Sequence, residues 1–357
     1  MSRRYRVVVV GMGKRGLHHA AAFQANPRFE IAGLCDIDPA RLDAAAAKFG
    51  RPPTDADAGR LGAAVKPDVF CFCTLPGLRL PMIRAGIEAG AKLIAFEKPV
   101  ALTSREAMEM KRLLDAAGVK AVVSHQHRYG LHYRKVRELA ASGSLGRIHT
   151  VYGSATGWMT HMLSHLIDYA RWYAGEPAAV WAMAQAAGRG KFADNHPSPD
   201  YLAGVVQFER GIRGWFEAGA GAPDQPEVAK WWGKNRIGVQ GTEGFAEALT
   251  NGGWRAVSRR DGYQAGEGAM NYDADMPPYV QDMAEWLDGK AAHPCNFASA
   301  YAGFEIMAAL QRSAASGGQV ALPLSGPADE QALLKTAVPD RTVLVSDPVN
   351  AREYGLA

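Results

Sequence analysis

The chain has 357 residues, 48% of them hydrophobic and 21% charged, with a formal net charge of +4. That length suits two domains with real cores better than one oversized unit. The near balance of interspersed charges argues against a nucleic-acid partner, and the lack of any apolar run near the roughly 20 residues of a bilayer span argues against a membrane segment.

The opening Met1-Ser-Arg-Arg-Tyr-Arg leads straight into a strand pattern, which leaves no room for a signal peptide, so a cytoplasmic location is expected. Cys71 and Cys73 alternate with Phe72 in a strand pattern and make no C-x-x-C clip. Together with Cys35 and Cys295 they read as reduced core thiols, and neither a metal nor a disulfide is expected.

Tyr5 to Val10 is a β-branched run predicted as a strand, Gly11-Met12-Gly13-Lys14-Arg15-Gly16 a glycine turn, and Leu17 to Gln24 a helix. A G-x-G-x-x-G between strand and helix is the context of a dinucleotide site. Gly11 permits the turn, Gly13 lets backbone approach a pyrophosphate, Gly16 lets helix and strand pack, and the helix N-terminus offers N–H groups to the anion. Phe29 to Asp36 is a second strand, and Asp36 stands about twenty residues past Gly16, where a carboxylate can accept hydrogen bonds from an adenosine ribose. Ile37 and Asp38 follow in place of a cation, so NAD is favoured over NADP.

The alternation continues with a helix over Leu42 to Phe49, a strand over Pro67 to Thr74, a helix over Pro81 to Ala89 and a strand over Lys92 to Phe96. A helix over Ser104 to Ala117 and a strand over Lys120 to Ser124 complete the N-terminal third. Apolar strands separated by helices predict a parallel sheet covered on both faces, with ligands at the carboxyl ends of the strands. The residues just past Thr74, Phe96 and Ser124 are therefore the first candidates for a site.

After Phe96 comes Glu97-Lys98-Pro99. With the glycine turn, Cys35-Asp36, the Arg128 region, the helix around His165 and the stretch from Asn296 to Pro323, it makes the chain resemble the Gfo/Idh/MocA oxidoreductases over about nine tenths of its length. The resemblance implies an α/β protein: a Rossmann domain over 1–124, then an α/β domain over 125–324 with a large open, mainly antiparallel sheet. Its helix 296–316 would return to the Rossmann domain, and a C-terminal extension would run over 325–357. It also implies a homodimer or homotetramer through that sheet.

Within the resemblance, Lys98 contacts both cofactor and substrate. Chemistry gives an independent reason: a lysine partly desolvated beside a cationic nicotinamide ring loses basicity and can take or return a hydroxyl proton. Glu97 is its expected supporting partner. Thr74, Leu75, Pro76 and Arg79 are expected on the cofactor, Arg79 standing where family members commonly carry His. Gln126, where Asn is frequent, is expected to hydrogen-bond the nicotinamide or a sugar hydroxyl, and Arg128 to sit at the domain junction or touch substrate.

The second domain opens with a helix over Tyr133 to Ser142 and a strand over Arg147 to Ser154, then Gly157 to Trp172, where His161, His165 and Asp168 share one helical face. By resemblance His165 sits by the reacting hydroxyl with Lys98. A neutral imidazole at 161 or 165 can accept a proton at physiological pH. A His-x-x-x-His helix can also bind zinc, but no third ligand is apparent. Trp158 and Asp168 join the expected substrate contacts.

Strands are predicted at Ala179 to Gln185, Ala203 to Glu209, Ile212 to Glu217, Arg236 to Gln240, Phe245 to Leu249 and Trp254 to Ser258, with Gly241-Thr-Glu-Gly244 as a hairpin turn. Lys230, Trp231 and Trp232 interleave cation and aromatic and suit an anionic sugar. Two activities are compatible with these residues. One is NAD-dependent oxidation of a secondary hydroxyl of a sugar, cyclitol or sugar acid. The other is an NAD-dependent redox-neutral glycoside hydrolase, suggested because Met159-Thr-His161-Met-Leu resembles the T-H-x-L of such glycosidases.

Overall fold

The computed structural model describes residues 3–229, 234–341 and 343. It divides into two compact units, one of Met1–Ala101, Glu106–Tyr129 and Asn271–Ala298, the other of Leu102–Arg105, Gly130–Met270 and Ser299–Ala357. Among the described residues no helix is long and apolar enough to cross a membrane.

The first unit alternates as expected: β1 (Tyr5–Val10), α1 (Lys14–Ala25), β2 (Phe29–Cys35), α2 (Pro39–Lys48), β3 (Thr54–Asp55), α3 (Ala58–Val65) and β4 (Val69–Phe72). α4 (Arg79–Glu88), β5 (Leu93–Phe96), α5 (Ser104–Ala117) and β6 (Lys120–Val123) come next. The strands form one parallel sheet in the order β3-β2-β1-β4-β5-β6. This doubly wound order reverses direction between β1 and β4, so a crevice opens beyond their carboxyl ends. Val7, Val8, Val9, Val69, Phe70, Ile94 and Ala95 have no exposed surface, as strands covered on both faces require. Each large side chain so buried stabilises the fold by roughly 1.5–3 kcal/mol.

The second unit holds α6 (Leu131–Ala141), β7 (Ile148–Ala155), α7 (Met159–Tyr173), β8 (Ala179–Ala187), β9 (Tyr201–Phe208), β10 (Arg213–Gly219) and β11 (Asn235–Gly241). β12 (Gly244–Leu249), β13 (Gly253–Ser258) and β14 (Gly262–Gly266) extend it. α8 (Tyr272–Leu287) belongs to the first unit, and α9 (Phe297–Ser316), β15 (Val320–Ala321) and α10 (Glu330–Ala337) complete the described chain. The nine-stranded sheet runs β14-β13-β12-β11-β7-β10-β9-β8-β15, with β7 and β10 parallel and the other pairs antiparallel. Gly241 pairs with Gly244 at the β11–β12 turn, the hairpin read from the sequence. α7 covers one face, its Leu163, Leu166, Ile167 and Ala170 fully buried.

The units follow contacts rather than chain order, which differs from the serial division expected. Residues 271–298 return to the first unit, where Met276, Tyr279, Val280 and Met283 of α8 join the core around Phe23 and Phe29. α9 spans the division: Phe297 and Ala298 belong to the first unit and the residues from Ser299 onward to the second, where the Oγ of Ser313 accepts from the Ala184 N–H of β8 at 2.8 Å. α8 escapes a sequence reading because Pro277 and Pro278 lie within it.

Candidate active site

Two clusters, one in each unit, carry the residues singled out by the sequence. The first is built on the carboxyl ends of β1, β2, β4 and β5. Gly11 has φ +87°, and a Cβ there would lie 2.8 Å from the Cys73 carbonyl oxygen, while a Cβ on Gly16 would lie 1.7 Å from that of Gly11. Packing within the chain thus requires glycine at both. At Gly13 a Cβ would meet nothing within 4 Å, so this middle glycine answers no internal contact and leaves open the approach a pyrophosphate needs. α1 starts there with no side-chain cap, which keeps its N-terminus available to an anion. Asp36 accepts from the Met12 N–H at 2.5 Å and the Asp38 N–H at 2.8 Å, which fixes its carboxylate beside the turn. These features fit NAD.

Lys98 is only 4% exposed, at a cis peptide bond to Pro99. Burial, opposed by Glu97 and aided by Arg15 and Arg79, lowers its amine to about 7. Glu97 is held well below the usual carboxylate range: burial works against its charge, but Arg15, His19 and Lys98 outweigh that. Its Oε1 lies 3.1 Å from Nε2 of His19, an α1 residue that the sequence reading passed over. Arg15 lies with its guanidinium 4.1 Å from the ring centre of Tyr272.

Arg79, expected on the cofactor, turns inward instead. It is buried, donates to the carbonyls of Thr74 at 2.7 Å and of Pro99 and Lys98 at 3.4 Å, and so ties together the two loops that come after β4 and β5. Leu75 is 53% exposed beside it and Pro76 is buried. Gln126 is buried, its Oε1 accepting from Ser124 Oγ at 3.0 Å, and Arg128 donates to the Pro294 carbonyl at 2.9 Å. Residues 126–129 form a turn of 3-10 helix just past β6. His127 there faces Asp275 of α8 at 3.4 Å, and burial lowers its pKa.

The second cluster sits on α7. Trp158 caps the helix, His161 is half-buried, and His165 and Asp168 are buried. The His161 and His165 rings are 5.7 Å apart, and His165 stacks on Tyr169 with its Nδ1 3.3 Å from the phenol oxygen. The loop between β8 and β9 adds His196, whose ring lies 5.1 Å from that of His161 and stacks on Trp158 at 6.3 Å. Sequence spacing could not bring His196 in, because a loop carries no periodicity; its only signal is a histidine among Asp194, Asn195 and Pro197. Lys230, Trp231 and Trp232 lie outside the described residues.

A doubly wound sheet with an open glycine turn, a carboxylate held beside it and a deeply buried lysine is the framework of an NAD-binding oxidoreductase. Family models agree: residues 5–125 match the oxidoreductase family, NAD-binding Rossmann fold, of GFO_IDH_MocA, and residues 153–247 match the GFO/IDH/MocA C-terminal domain. The chain belongs to the Gfo/Idh/MocA family. It is 26% identical to the D-glucoside 3-dehydrogenase of Escherichia coli over 59% of its length and 69% of that protein's. It is also 26% identical to the inositol 2-dehydrogenase of Rhizobium meliloti over 49% of its length and 57% of that protein's. The matched stretches thus span little over half to about two thirds of these curated relatives. In fold it is similar to an Agrobacterium radiobacter oxidoreductase solved with NAD+, L-tartaric acid and magnesium: TM-score 0.77, 17% identity, 89% of this chain and 98% of that one. The WlbA dehydrogenase of Bordetella pertussis, solved with NADH and UDP-GlcNAcA, gives TM-score 0.72 at 21% identity over 90% of this chain and all of that one.

Proposed function

We propose that the protein oxidises, reversibly, a secondary hydroxyl of a sugar, cyclitol or sugar acid. NAD, when bound, supplies the two-electron acceptor. Lys98, as free amine, removes the hydroxyl proton, and His165 hydrogen-bonds the same hydroxyl and orients it. Glu97 and Arg15 set the charge around the amine, while Thr74, Leu75, Pro76 and Gln126 line the nicotinamide side. Asp36, Met12, Lys14 and the Arg15 backbone hold the adenosine and pyrophosphate. Trp158, His161, Asp168 and Arg128 contact the substrate. The observation that supports this reading above the others is the Lys98 amine, buried and brought to about 7, where proton transfer in either direction is efficient. The relatives named for glucoside and inositol oxidation favour a carbohydrate substrate.

The purified protein is incubated with NAD and a panel of free sugars, sugar acids and aryl glycosides, with NADH absorbance and released aglycone followed separately. Stoichiometric NADH from a free sugar supports the dehydrogenase; aglycone release with no net NADH replaces it by the redox-neutral hydrolase. The second reading is retained because His161 lies beside His165 and His196 beside His161, more proton-transfer groups than a single oxidation uses.

The same reading includes self-association through the sheet face opposite α7. That face is open and apolar: Trp215 is 52% and Met183 49% exposed, over a groove of about 750 Å³ that Tyr152, Trp181, Glu217 and Arg236 also line. An exposed apolar patch of this kind suits a second copy of the chain. A W215R variant that sediments as a monomer, where the wild type does not, supports this; a monomeric wild type removes it.

A further inference from the structure

Beneath the glycine turn lies a group of side chains that the proposed reaction does not use. His19 points from the buried face of α1 toward β4, where Cys71 and, just past the strand end, Cys73 share one side of the chain. One ring nitrogen of His19 and the two sulfurs lie within 4.8 Å of one another, the group of this kind found among the described residues. We propose that His19, Cys71 and Cys73 form a binding site for a thiophilic divalent cation of the Zn²⁺ class.

Three observations carry it. The donor set, one imidazole and two thiols, is the one that selects such ions. Zn–S and Zn–N bonds of about 2.3 and 2.0 Å put ligand atoms some 3.5–3.8 Å apart, so the present spacing closes by about 1 Å through small side-chain rotations. Second, Nδ1 of His19 is buried with no well-formed hydrogen bond, and besides Glu97 the ring interacts with the thiol of Cys73, itself one of the proposed donors. Third, Nε2 of the same ring is engaged by the Glu97 carboxylate at 3.1 Å. A carboxylate–histidine pair of this kind fixes the tautomer and turns the other nitrogen toward a metal.

Cation binding proceeds by exchange: the two thiols and any proton on Nδ1 are released to solvent, and Nε2–H stays with Glu97. Cys73 is only partly buried and supplies the way in, and a water completes the tetrahedron.

The full-length protein, reduced and freed of metal with a chelator, is titrated with Cd²⁺ while the thiolate-to-cadmium charge-transfer absorbance is followed, and with Zn²⁺ in competition with a chromophoric chelator. One equivalent per chain with a thiolate band and proton release is expected. Cys73→Ser, at the strand end and least exposed to a folding defect, should weaken binding at least about tenfold, and Cys71→Ser likewise. Cys35→Ser, also buried but not a member of the group, should bind as wild type. Glu97→Gln should keep the band while weakening binding about 10- to 100-fold. Absence of uptake, uptake without a thiolate band, or a band unchanged in Cys73→Ser would each overturn the proposal. None of these readouts needs substrate or turnover, so the site stands or falls apart from the proposed reaction.

Discussion

The cluster around Lys98 and the cluster around His165 solve different problems. The first is dense with charge and largely buried: Arg15 and His19 of α1 meet Glu97, Lys98 and Arg79 near the ends of parallel strands, and burial together with their mutual fields moves several of them far from their ordinary ionisation. The second is aromatic and partly open. Trp158, His161, His165, Tyr169 and His196 meet ring against ring. The contrast is one of physical means: in the first cluster burial and fixed charges set an amine's affinity for its proton, and in the second the packing of rings against one another fixes where several hydrogen-bonding nitrogens lie.

That division is broken most directly at Lys98. Lys98→Met removes the amine and keeps the bulk of the chain, and kcat should fall about 10²- to 10⁴-fold, the span of general acid–base catalysis. Steady-state kinetics on the substrate found in the panel measures it, with NAD binding followed by fluorescence quenching as the control. A variant with wild-type kcat removes Lys98 from the chemistry. Asp36→Ala comes next: loss of a charged acceptor for ribose hydroxyls should weaken NAD binding by about 1.5–3 kcal/mol, roughly ten- to a hundredfold, with kcat at saturating NAD changed little. A larger effect on kcat than on the NAD dissociation constant would show that Asp36 shapes the glycine turn through Met12 rather than holding the ribose.

The same contrast explains which parts were legible in the sequence. The turn at Gly11 to Gly16, the carboxylate at Asp36 and the triplet at Glu97 are local in sequence, because a strand end places neighbours in sequence next to a ligand. His161, His165 and Asp168 were legible because helical periodicity puts them on one face. His196 was not, being delivered by a loop, and neither was His19, whose partners Glu97 and Cys73 are remote along the chain. Arg79 misled for a related reason: its place after Thr74 is that of a cofactor ligand, yet three backbone carbonyls inside the fold compete for a guanidinium's donors and win. The return of 271–298 to the first unit was hidden by the two prolines of α8.

On the aromatic side the expected effects are smaller. His165→Asn should lower kcat/KM about tenfold, the worth of one or two neutral hydrogen bonds to a hydroxyl. His161→Asn should do less to NADH formation. If aglycone release proves to be the activity, the order reverses, since a proton must then also be moved to or from the glycosidic side, and His161 with His196 would carry it. Comparing the two variants on one substrate therefore sharpens the choice between the two reactions.

The subtlest test lies in pH. Oxidation needs Lys98 as free amine, so its rate should rise with pH along a limb near 7 and level off above, whereas reduction, which needs the ammonium, should fall over the same range. In Glu97→Gln the attraction that favours the ammonium is gone, while burial and the positive charges of Arg15 and Arg79 that disfavour it remain. The amine must then lose its proton more readily, and the oxidation limb should move to lower pH even as the plateau drops. Pre-steady-state rates of NADH formation in buffers spanning the limb measure the displacement free of product release. A limb that stays in place assigns the titration to another group; a limb that moves to higher pH means the carboxylate acts on the base through His19 rather than by its own field.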